Sequence, residues 1–335
     1  MKALVYERPT MMKIKDVPLP VPGTGEVLIR VGCAGICGSE LSGYMGHSSI
    51  RRPPLIMGHE FAGTVDQIGV GVTGVRPGDR VVVNPLLTCG RCSNCAGGEE
   101  QRCASRQLLG AHLSGAFAEF VTVPAQNCYP IPDILSFAEA ALAEPLACAI
   151  HICRLLRVSA EERLLIIGAG PIGLFALQAS QYFGLRHVAI MDINRERLQI
   201  AKQLGASPVH SDQELAAVKP ASGFDVAIDA VGMTSTRAAC MEAVRIGGRV
   251  GFTGLHEAES TLPVNGAIRG ELTMFGAFAY SRADFEMAIQ WTKEYSAVMM
   301  PWTEMFSLDQ GKVCFDKLLA GAGAIVKILL VPDGN

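Results

Sequence analysis

Four cysteines lie close together in one short stretch of the chain. The segment "CGRCSNCAGGEEQRC" carries Cys89, Cys92, Cys95 and Cys103. Four thiolates at such spacing suit a closed tetrahedral zinc site, which has no position for substrate and stabilises the loop that holds it. An iron–sulfur cluster also needs four thiolates, but the usual proline after the last ligand is missing, and reactive thiols are a further alternative. We therefore predict a structural zinc site.

The chain has 11 cysteines in total. An odd count and tight C-x-x-C spacing argue against a set of separate disulfide bridges. Free cysteines in apolar surroundings behave as small hydrophobic residues. We interpret six cysteines in this way: Cys33, Cys128, Cys148, Cys153, Cys240 and Cys314.

A glycine-rich segment follows an apolar run in the middle of the chain. In "IIGAGPIG" the glycines are Gly168, Gly170 and Gly173. This spacing permits a tight turn and brings backbone N–H groups against a diphosphate at the start of a helix. Asp192 ends the next apolar run, where a carboxylate can bind both hydroxyls of an adenosine ribose. Arg195 and Arg197 follow and could accommodate a 2′-phosphate, so the motif favours NAD over NADP without excluding NADP.

A third set of candidate residues is dispersed along the sequence. "GICGSE" contains Cys37, "MGHEFAG" contains His59 and Glu60, and the apolar segment "ALAEPLA" contains Glu144. A thiolate, an imidazole and carboxylates are the mixed ligands of a zinc ion with an open position, where an oxygen can be activated. Spacing alone does not establish this site, since a buried thiol, a loop histidine and a helix-start carboxylate are each ordinary structural features.

The elements that must position these residues divide the chain into two unlike parts. From about residue 25 to 130, short β-rich runs separated by Gly, Pro and Asp turns predict a mainly β domain of barrel type. From about residue 160, five apolar runs alternate with helical patterns, which predicts an α/β domain with a parallel, doubly wound sheet. The runs are "ERLLIIGAG", "HVAIMDI", "FDVAIDAVG", "GGRVGFTGL" and "ELTMFGAF". After about residue 280, "ADFEMAIQWTKE" is helical in pattern and "GAIVKILLVP" resembles a closing strand that returns to the first domain.

Composition limits the class of protein. The chain has 335 residues, 49% of them hydrophobic, and 29 Lys and Arg against 32 Asp and Glu. It lacks a basic run interleaved with aromatic residues, so we expect no nucleic-acid partner. The N-terminal stretch has no unbroken apolar region and no apolar run is long enough for a membrane span, so we expect a cytoplasmic protein without a membrane partner.

These motifs together resemble the zinc-containing medium-chain dehydrogenase/reductase family, in the polyol branch with sorbitol, galactitol-phosphate and threonine dehydrogenases. The resemblance runs from "MKALVYERP" through "PGDRVVV" and the cysteine loop to the last strand. It implies a GroES-like catalytic domain over residues 1–147 with the zinc lobe, a Rossmann dinucleotide-binding domain over 148–279, and a return to the catalytic domain over 280–335. It also implies a homodimer or homotetramer.

The resemblance assigns roles to individual residues. It implies two zinc ions per chain, with a catalytic ion held by Cys37, His59, Glu60 and Glu144, where either glutamate is the direct ligand, and a structural ion held by Cys89, Cys92, Cys95 and Cys103. Ser39 matches the hydroxyl residue that accepts the substrate proton. The cofactor contacts that it implies are Gly168, Gly170, Ile172, Gly173, Asp192, Arg197, Gly254 and Leu255.

Two departures leave the substrate open. Relatives often have a histidine shortly after the first cysteine where this chain has Ser42, and an arginine near "FGAFAY" where it has Ala279. The loop "SGYMGHSSIRR" offers Arg51 and Arg52, which would favour a phosphorylated substrate if they face the site and are ordinary solvated charges if they do not.

The expected activity is NAD-dependent oxidation of a secondary alcohol on a polyol, polyol phosphate, cyclitol or related sugar alcohol. The alternatives are a threonine- or butanediol-type dehydrogenase, a zinc-free reductase of the same family, and a non-enzymatic zinc-binding module. Two zinc ions per chain would support a zinc-dependent alcohol dehydrogenase, one would indicate a degenerate active site, and none would favour the zinc-free reductase, which should lack both metal sets. A zinc-binding module would leave the dinucleotide motif unused.

Overall fold

The computed structural model describes residues 1–321 and 323–332 and divides into two compact units. The first unit comprises Met1–Glu144 and Ser281–Asn335, and the second comprises Pro145–Tyr280. The first unit is therefore built from two separate parts of the chain.

The second unit is a six-stranded, wholly parallel sheet with helices between its strands. Its strands are β11 (Arg163–Ile167), β12 (His187–Met191), β13 (Ser207–Val209), β14 (Phe224–Asp229), β15 (Val244–Phe252) and β16 (Thr273–Gly276). They lie in the order β13-β12-β11-β14-β15-β16, which is the doubly wound order of Rossmann sheets. Four consecutive residues of β11 are buried because helices cover both faces of such a sheet, so its sequence is a continuous apolar run.

Helices connect these strands. They are α4 (Ala143–Leu156), which begins at the end of the first unit, α5 (Pro171–Tyr182), α6 (Arg195–Gln203), α7 (Asp212–Val218), α8 (Thr234–Ala243) and α9 (Val264–Arg269). The prediction of a parallel, doubly wound sheet is confirmed, but the expected number of five strands was wrong. The sixth, β13, is the three-residue segment Ser-Pro-Val and is too short to produce a hydrophobic pattern.

The first unit is mainly β. Its strands are β1 (Lys2–Arg8), β2 (Met11–Asp16), β3 (Glu26–Gly35), β4 (Leu55–Ile56), β5 (Glu60–Ile68), β6 (Arg80–Val83), β7 (Leu86–Leu87), β8 (Gln107–Leu108), β9 (Phe120–Pro124), β10 (Cys128–Pro130), β17 (Thr303–Ser307) and β18 (Lys327–Val331). Its helices are α1 (Gly38–Tyr44), α2 (Ser93–Ala96), α3 (Phe137–Ala141), α10 (Arg282–Met299) and α11 (Gly311–Leu319). The helix and the closing strand expected after residue 280 are present as α10 and β18.

A seven-stranded sheet forms the centre of this unit. Its order is β10-β6-β5-β3-β18-β17, and β9 also pairs with β3. β3 runs antiparallel to both β5 and β18, so the end of β3, the start of β5 and the start of β18 lie next to one another. These three strand ends position the candidate site described below.

Across residues 1–321 and 323–332, no helix is both long enough and apolar enough to cross a membrane.

Candidate active site

Three predicted zinc ligands converge in the first unit. The ligand atoms of Cys37, His59 and Glu60 lie within 4.8 Å of one another, with both His59 and Glu60 buried. Cys37 follows β3 and precedes α1, while His59 and Glu60 lie at the start of β5, so the antiparallel pairing of β3 with β5 brings them together. A soft sulfur, an imidazole and a carboxylate in one small space are the donor set of a catalytic zinc. The residues present fit this ion.

Glu40 orients the histidine of this group. The imidazole Nδ1–H of His59 donates to Glu40 Oε1 at 2.7 Å, and the backbone N–H of Gly58 donates to the same oxygen at 2.8 Å. The other oxygen accepts the N–H of Cys37 at 3.0 Å, because Glu40 is the third residue of α1 and reaches back to the helix start. With Nδ1 occupied, Nε2 of His59 is the nitrogen available to a metal.

The electrostatics of this pair favour the charged forms. Burial opposes ionisation of Glu40, but His59 and Arg51 hold the pKa of its carboxyl below the usual range. Burial likewise opposes protonation of His59, but Glu40 and Cys37 raise its pKa well above the usual range. A metal ion requires the neutral imidazole, so binding of zinc here must release a proton.

Glu60 is held by a buried lysine. Lys327, at the start of β18, forms an ion pair with Glu60, and both side chains are almost completely buried. The ammonium of Lys327 also donates to the carbonyl of Ile36 at 2.9 Å. Burial opposes the charged form of Lys327, but Glu60 and Cys37 raise its pKa, so the ammonium stays charged. The lysine thus neutralises one carboxylate of the site and orients it.

Glu144 is the fourth predicted ligand and lies in the first turn of α4. Its side chain is buried, but its carboxylate is not among the three groups whose ligand atoms lie within 4.8 Å of one another. In this arrangement, Glu60 rather than Glu144 is the carboxylate next to Cys37 and His59.

Ser39 and Arg51 lie beside the cysteine of the site. The Ser39 hydroxyl donates to Cys37 Sγ at 3.3 Å, and Nη2 of Arg51 donates to Ser39 Oγ at 3.0 Å. The two arginines of the loop differ, since Arg51 is 5% exposed whereas Arg52 is exposed to solvent. The interpretation of both as solvated charges is therefore wrong for Arg51 and correct for Arg52.

The four cysteines of the lobe also form one group. The ligand atoms of Cys89, Cys92, Cys95 and Cys103 lie within 4.8 Å of one another. Cys92 Sγ lies 3.4 Å and Cys89 Sγ lies 4.0 Å from Cys95 Sγ. Zinc–sulfur bonds of about 2.3 Å in a tetrahedron place the sulfurs about 3.8 Å apart, so this spacing fits zinc.

Two thiols of the lobe differ in pKa, since burial and the neighbouring thiols raise the pKa of Cys95 to about 11, whereas that of Cys89 is lowered. Backbone N–H groups of Arg91 and Cys92 lower the pKa of Cys89 to about 6. By contrast, burial raises the pKa of three cysteines outside both groups to about 12, namely Cys33, Cys128 and Cys153. Cys240 and Cys314 are also buried, whereas Cys148 is only partly buried.

The glycine motif of the second unit lies between β11 and α5. Gly168 has a φ of +105°, and a Cβ on Gly173 would lie 1.7 Å from the Gly168 carbonyl oxygen, so neither position accepts a side chain without rearrangement. Gly170 is the N-cap of α5, and a Cβ there would meet no atom within 4 Å. The open space at this helix start fits the diphosphate of a dinucleotide.

Asp192 lies at the end of β12 and contacts the glycine motif. Its carboxylate accepts the N–H of Ala169 at 2.6 Å and that of Asn194 at 2.7 Å. Ile172 lies in the first turn of α5, and Arg197, whose Nε is buried without a hydrogen-bond partner, lies in the first turn of α6. The edge of the sheet at which β11 and β12 end therefore carries most of the predicted cofactor residues.

The remaining predicted cofactor residues follow β15. The N–H of Gly254 donates to the carbonyl of Asp229, and a Cβ on Gly254 would lie 2.2 Å from the nitrogen of Gly232. The segments after β14 and β15 are thus in backbone contact. Leu255 is largely exposed beside them.

Two family models match the chain. Residues 23–133 match "Alcohol dehydrogenase GroES-like domain" and residues 171–294 match "Zinc-binding dehydrogenase". L-idonate 5-dehydrogenase of Vitis vinifera is 33% identical over 331 residues, which cover 94% of this chain and 90% of the relative. The chain belongs to the zinc-binding dehydrogenase family.

Solved structures similar to this dehydrogenase cover nearly its whole length. Galactitol-1-phosphate dehydrogenase of Escherichia coli has a TM-score of 0.90 at 26% identity and covers 99% of this chain and 100% of its own. A short chain alcohol dehydrogenase of E. coli CFT073, solved in complex with NADH, has a TM-score of 0.90 at 28% identity and covers 99% of both chains.

Two residues of the site in this dehydrogenase, Glu40 and Lys327, were not among those predicted from the sequence. Glu40 had a detectable signal, because an acid three residues after Cys37 at a helix start is typical of a capping box. For Lys327 the only signal in the sequence was a charged residue inside the apolar run "GAIVKILLVP". Its contact with Glu60 depends on the pairing of β18 with β3, which no local pattern predicts.

Proposed function

We propose that this dehydrogenase reversibly oxidises a secondary alcohol of a polyol, polyol phosphate, cyclitol or related sugar alcohol to the ketone, with NAD as hydride acceptor. The observation that carries the proposal is the convergence of Cys37, His59 and Glu60 beside the hydroxyl of Ser39. This arrangement supports a metal site beside a hydroxyl that could accept the proton of an alcohol.

Cys37, His59 and Glu60 would hold one zinc ion, with Glu144 as an additional candidate ligand, and the four lobe cysteines would hold a second. The first ion, when bound, supplies a Lewis acid that polarises the substrate oxygen. Glu40 keeps Nε2 of His59 directed at the ion, and Lys327 limits the net negative charge of the ligand set. The lobe ion takes no part in the chemistry.

Ser39 is the group that would receive the substrate proton. Its oxygen accepts a hydrogen bond from Arg51 and has a second lone pair that can accept the alcohol hydrogen. Arginine remains protonated throughout and cannot take up this proton. The proton must therefore leave from Ser39 to water or to a cofactor hydroxyl, since position 42 carries a serine where relatives have a histidine.

The second unit would bind the dinucleotide. The nicotinamide, when bound, accepts the hydride of the carbinol carbon. Gly168, Gly170 and Gly173 shape the turn against the diphosphate, and the carboxylate of Asp192 would bind the adenosine ribose and repel a 2′-phosphate. This supports NAD over NADP, with Ile172, Arg197, Gly254 and Leu255 as further contacts.

The domain limits, oligomeric state, substrate class and location of the enzyme are also proposals. We infer the domain limits 1–147, 148–279 and 280–335 from the family, together with a homodimer or homotetramer. The relatives act, by their names, on L-idonate and galactitol 1-phosphate, which supports a polyhydroxy substrate. We also propose a cytoplasmic location.

Metal analysis and a substrate screen test the proposal together. We expect two zinc ions per chain, and NADH formation with secondary alcohols among hexitols, pentitols, their phosphates, sugar acids and inositols. Turnover confined to primary alcohols of the ethanol type, or to short diols, would overturn the polyol assignment. A protein with only the lobe zinc and no turnover would overturn the enzymatic assignment.

A further inference from the structure

Arg51 is a buried charge with no direct ion-pair partner among the described residues. Its side chain is 5% exposed, yet within those residues the guanidinium makes one hydrogen bond, from Nη2 to the neutral hydroxyl of Ser39 at 3.0 Å. Nε is buried without a hydrogen-bond partner, and within the described parts of the chain the guanidinium has no carboxylate at ion-pair distance. Buried charges in proteins are normally paired, because an unpaired one costs several kcal/mol of desolvation.

The position of this side chain is specified by its surroundings. A Cβ on Gly43, in the last turn of α1, would lie 2.6 Å from Cδ of Arg51, so only glycine at this position leaves room for the arginine stem. The backbone N–H of Arg51 donates to Ser48 Oγ at 3.2 Å, which stabilises the turn of the loop itself. Arg51 is therefore built into the unit, unlike its exposed neighbour Arg52.

The carboxylate that interacts electrostatically with Arg51 forms no direct hydrogen bond with it in the described residues. Burial opposes the ionisation of Glu40, but the charges of His59 and Arg51 lower the pKa of its carboxyl. Both oxygens of Glu40 are already occupied, one by His59 and the N–H of Gly58, the other by the N–H of Cys37. Most of the five N–H donors of the Arg51 guanidinium are thus left for a ligand.

We propose that Arg51 binds an oxyanion of the substrate, a carboxylate or a phosphate, attached to the same carbon chain as the alcohol that is oxidised. A planar guanidinium is suited to carboxylate and phosphate because it can form two parallel hydrogen bonds to either. Its contact with Ser39 puts the anionic end of the substrate close to the reacting hydroxyl. This inference rests on the proposed function and narrows its substrate class to sugar acids or sugar phosphates.

The test compares Arg51→Met with the matched control Arg52→Met, which removes the adjacent exposed charge. Zinc-loaded enzyme is assayed with sorbitol 6-phosphate, gluconate and unphosphorylated sorbitol as a panel of anionic and neutral alcohols. We expect Arg51→Met to lower the ratio of kcat/KM for the anionic substrate over the neutral one by about 10- to 100-fold, mainly through KM. Arg52→Met should leave this ratio unchanged. The better of the phosphate and carboxylate substrates identifies the oxyanion.

A binding measurement separates the substrate from the cofactor, whose diphosphate is also an oxyanion. NADH-saturated protein is titrated with sorbitol 6-phosphate and with gluconate, neither of which can be oxidised in that complex, and NADH fluorescence is followed. We expect Arg51→Met to weaken the binding of the preferred anion by at least tenfold while the Kd of NADH stays the same. A weakened Kd of NADH instead would assign Arg51 to the nucleotide and overturn the proposal.

Other outcomes of the same experiments also test whether Arg51 binds an oxyanion of the substrate. Equal losses for charged and neutral substrates would show that Arg51 only positions Ser39, and would overturn the proposal. If Arg51→Met does not fold, Arg51→Lys keeps the stem and the charge but loses the planar fork, and should give an intermediate loss confined to anionic substrates. Oxidation of neutral polyols alone would overturn this inference but leave the proposed function intact, whereas no polyol oxidation at all would overturn the proposed function.

Discussion

Glu40 joins the start of a helix to a metal ligand. Its carboxylate accepts hydrogen bonds from Cys37 N–H and from His59 Nδ1–H, so one residue orients two candidate ligands. Residues that hydrogen-bond to a ligating histidine affect metal affinity strongly.

We expect Glu40→Gln to weaken zinc retention at the Cys37 site by roughly 10- to 100-fold, because the amide is neutral and a poorer partner for the imidazole. Competition with a chelator, followed by zinc analysis per chain, measures this. Glu139→Gln is the matched control, since Glu139 makes the same capping contact to the N–H of Ser136 at the start of α3. Equal zinc loss in both variants would contradict the role of Glu40.

Asp192 is a second residue whose role, the choice between NAD and NADP, a single substitution can test. We expect Asp192→Ser to lower kcat/KM for NAD by about 10- to 100-fold and to raise the NADP/NAD preference, because it removes both the ribose hydrogen bonds and the repulsion of a 2′-phosphate. Steady-state kinetics with both cofactors measures the change. Asp212→Ser, at the exposed start of α7, should alter neither value. A native enzyme that already prefers NADP would show that Arg197 or Arg195 overrides the carboxylate.

At the residue scale, the sequence predicted groups of residues that are close in the chain better than groups that come together only through folding. The lobe cysteines occupy 15 consecutive residues, so their spacing alone indicates a metal site, and their sulfurs do lie together. The grouping of Cys37 with His59 required the resemblance to a family, because the two meet only through strand pairing. Arg51 is buried although its neighbour Arg52 is exposed, because Gly43 leaves room for its side chain. No pattern of residue types in the sequence indicates this difference.

At the scale of elements, β18 contributes a charged side chain to the candidate site as well as a strand to the sheet. Lys327 lies at its first position and pairs with Glu60 at the first position of β5, across the end of β3. Removal of one partner from a buried ion pair leaves an uncompensated charge, which is more destabilising than the pair is stabilising.

We therefore expect Lys327→Met to lower the free energy of unfolding by about 3–5 kcal/mol, measured by urea denaturation of the zinc-loaded protein. Lys317→Met is the matched control, because the Lys317–Glu304 pair is partly exposed and surface pairs contribute about 1 kcal/mol or less. A change of less than about 1 kcal/mol in both variants would show that Glu60 is neutralised by another group.

The lobe between β7 and β8 has little regular structure of its own. Each of these strands has two residues, and between them lie the short helix α2 and a 3-10 turn over Glu100–Arg102. We infer that a segment with so little regular secondary structure depends on a bound metal for order.

We expect Cys95→Ser to lower Tm by roughly 5–10 °C and to remove one zinc per chain, without changing which substrates the remaining active enzyme prefers. Ser93→Ala changes a neighbouring residue that is not a ligand and should do neither. Thermal unfolding, metal analysis and the substrate panel measure these outcomes. A changed substrate preference at unchanged Tm would contradict a purely structural role for the lobe.

At the scale of the whole molecule, the two kinds of chemistry belong to different units. All predicted zinc ligands lie in Met1–Glu144, and all predicted dinucleotide contacts lie in Pro145–Tyr280. The doubly wound sheet was readable from the sequence because its strands are continuous apolar runs. The seven-stranded sheet of the first unit was harder to predict from the sequence, because two of its strands, β17 and β18, lie far along the chain from the others.

We expect protein stripped of zinc by a chelator to bind NADH with a Kd similar to that of the native enzyme, while oxidation of every alcohol is lost. The reason is that none of the predicted dinucleotide contacts lies in the unit that holds the predicted metal ligands. NADH fluorescence titration before and after chelation measures this, and restored activity on adding zinc is the control. Loss of NADH binding on chelation would show that zinc maintains the second unit.

The discontinuity of the first unit also has a consequence for biosynthesis. Lys327 donates to the carbonyl of Ile36, a residue 291 positions earlier in the chain. At a translation rate of about 5–20 residues per second, the ribosome needs roughly 15–60 s to make the intervening polypeptide. During this interval the nascent site has its cysteine, histidine and glutamate but not the cation that neutralises the glutamate. Final assembly of this site is therefore late relative to the synthesis of its candidate ligands, because Lys327 is made well after them.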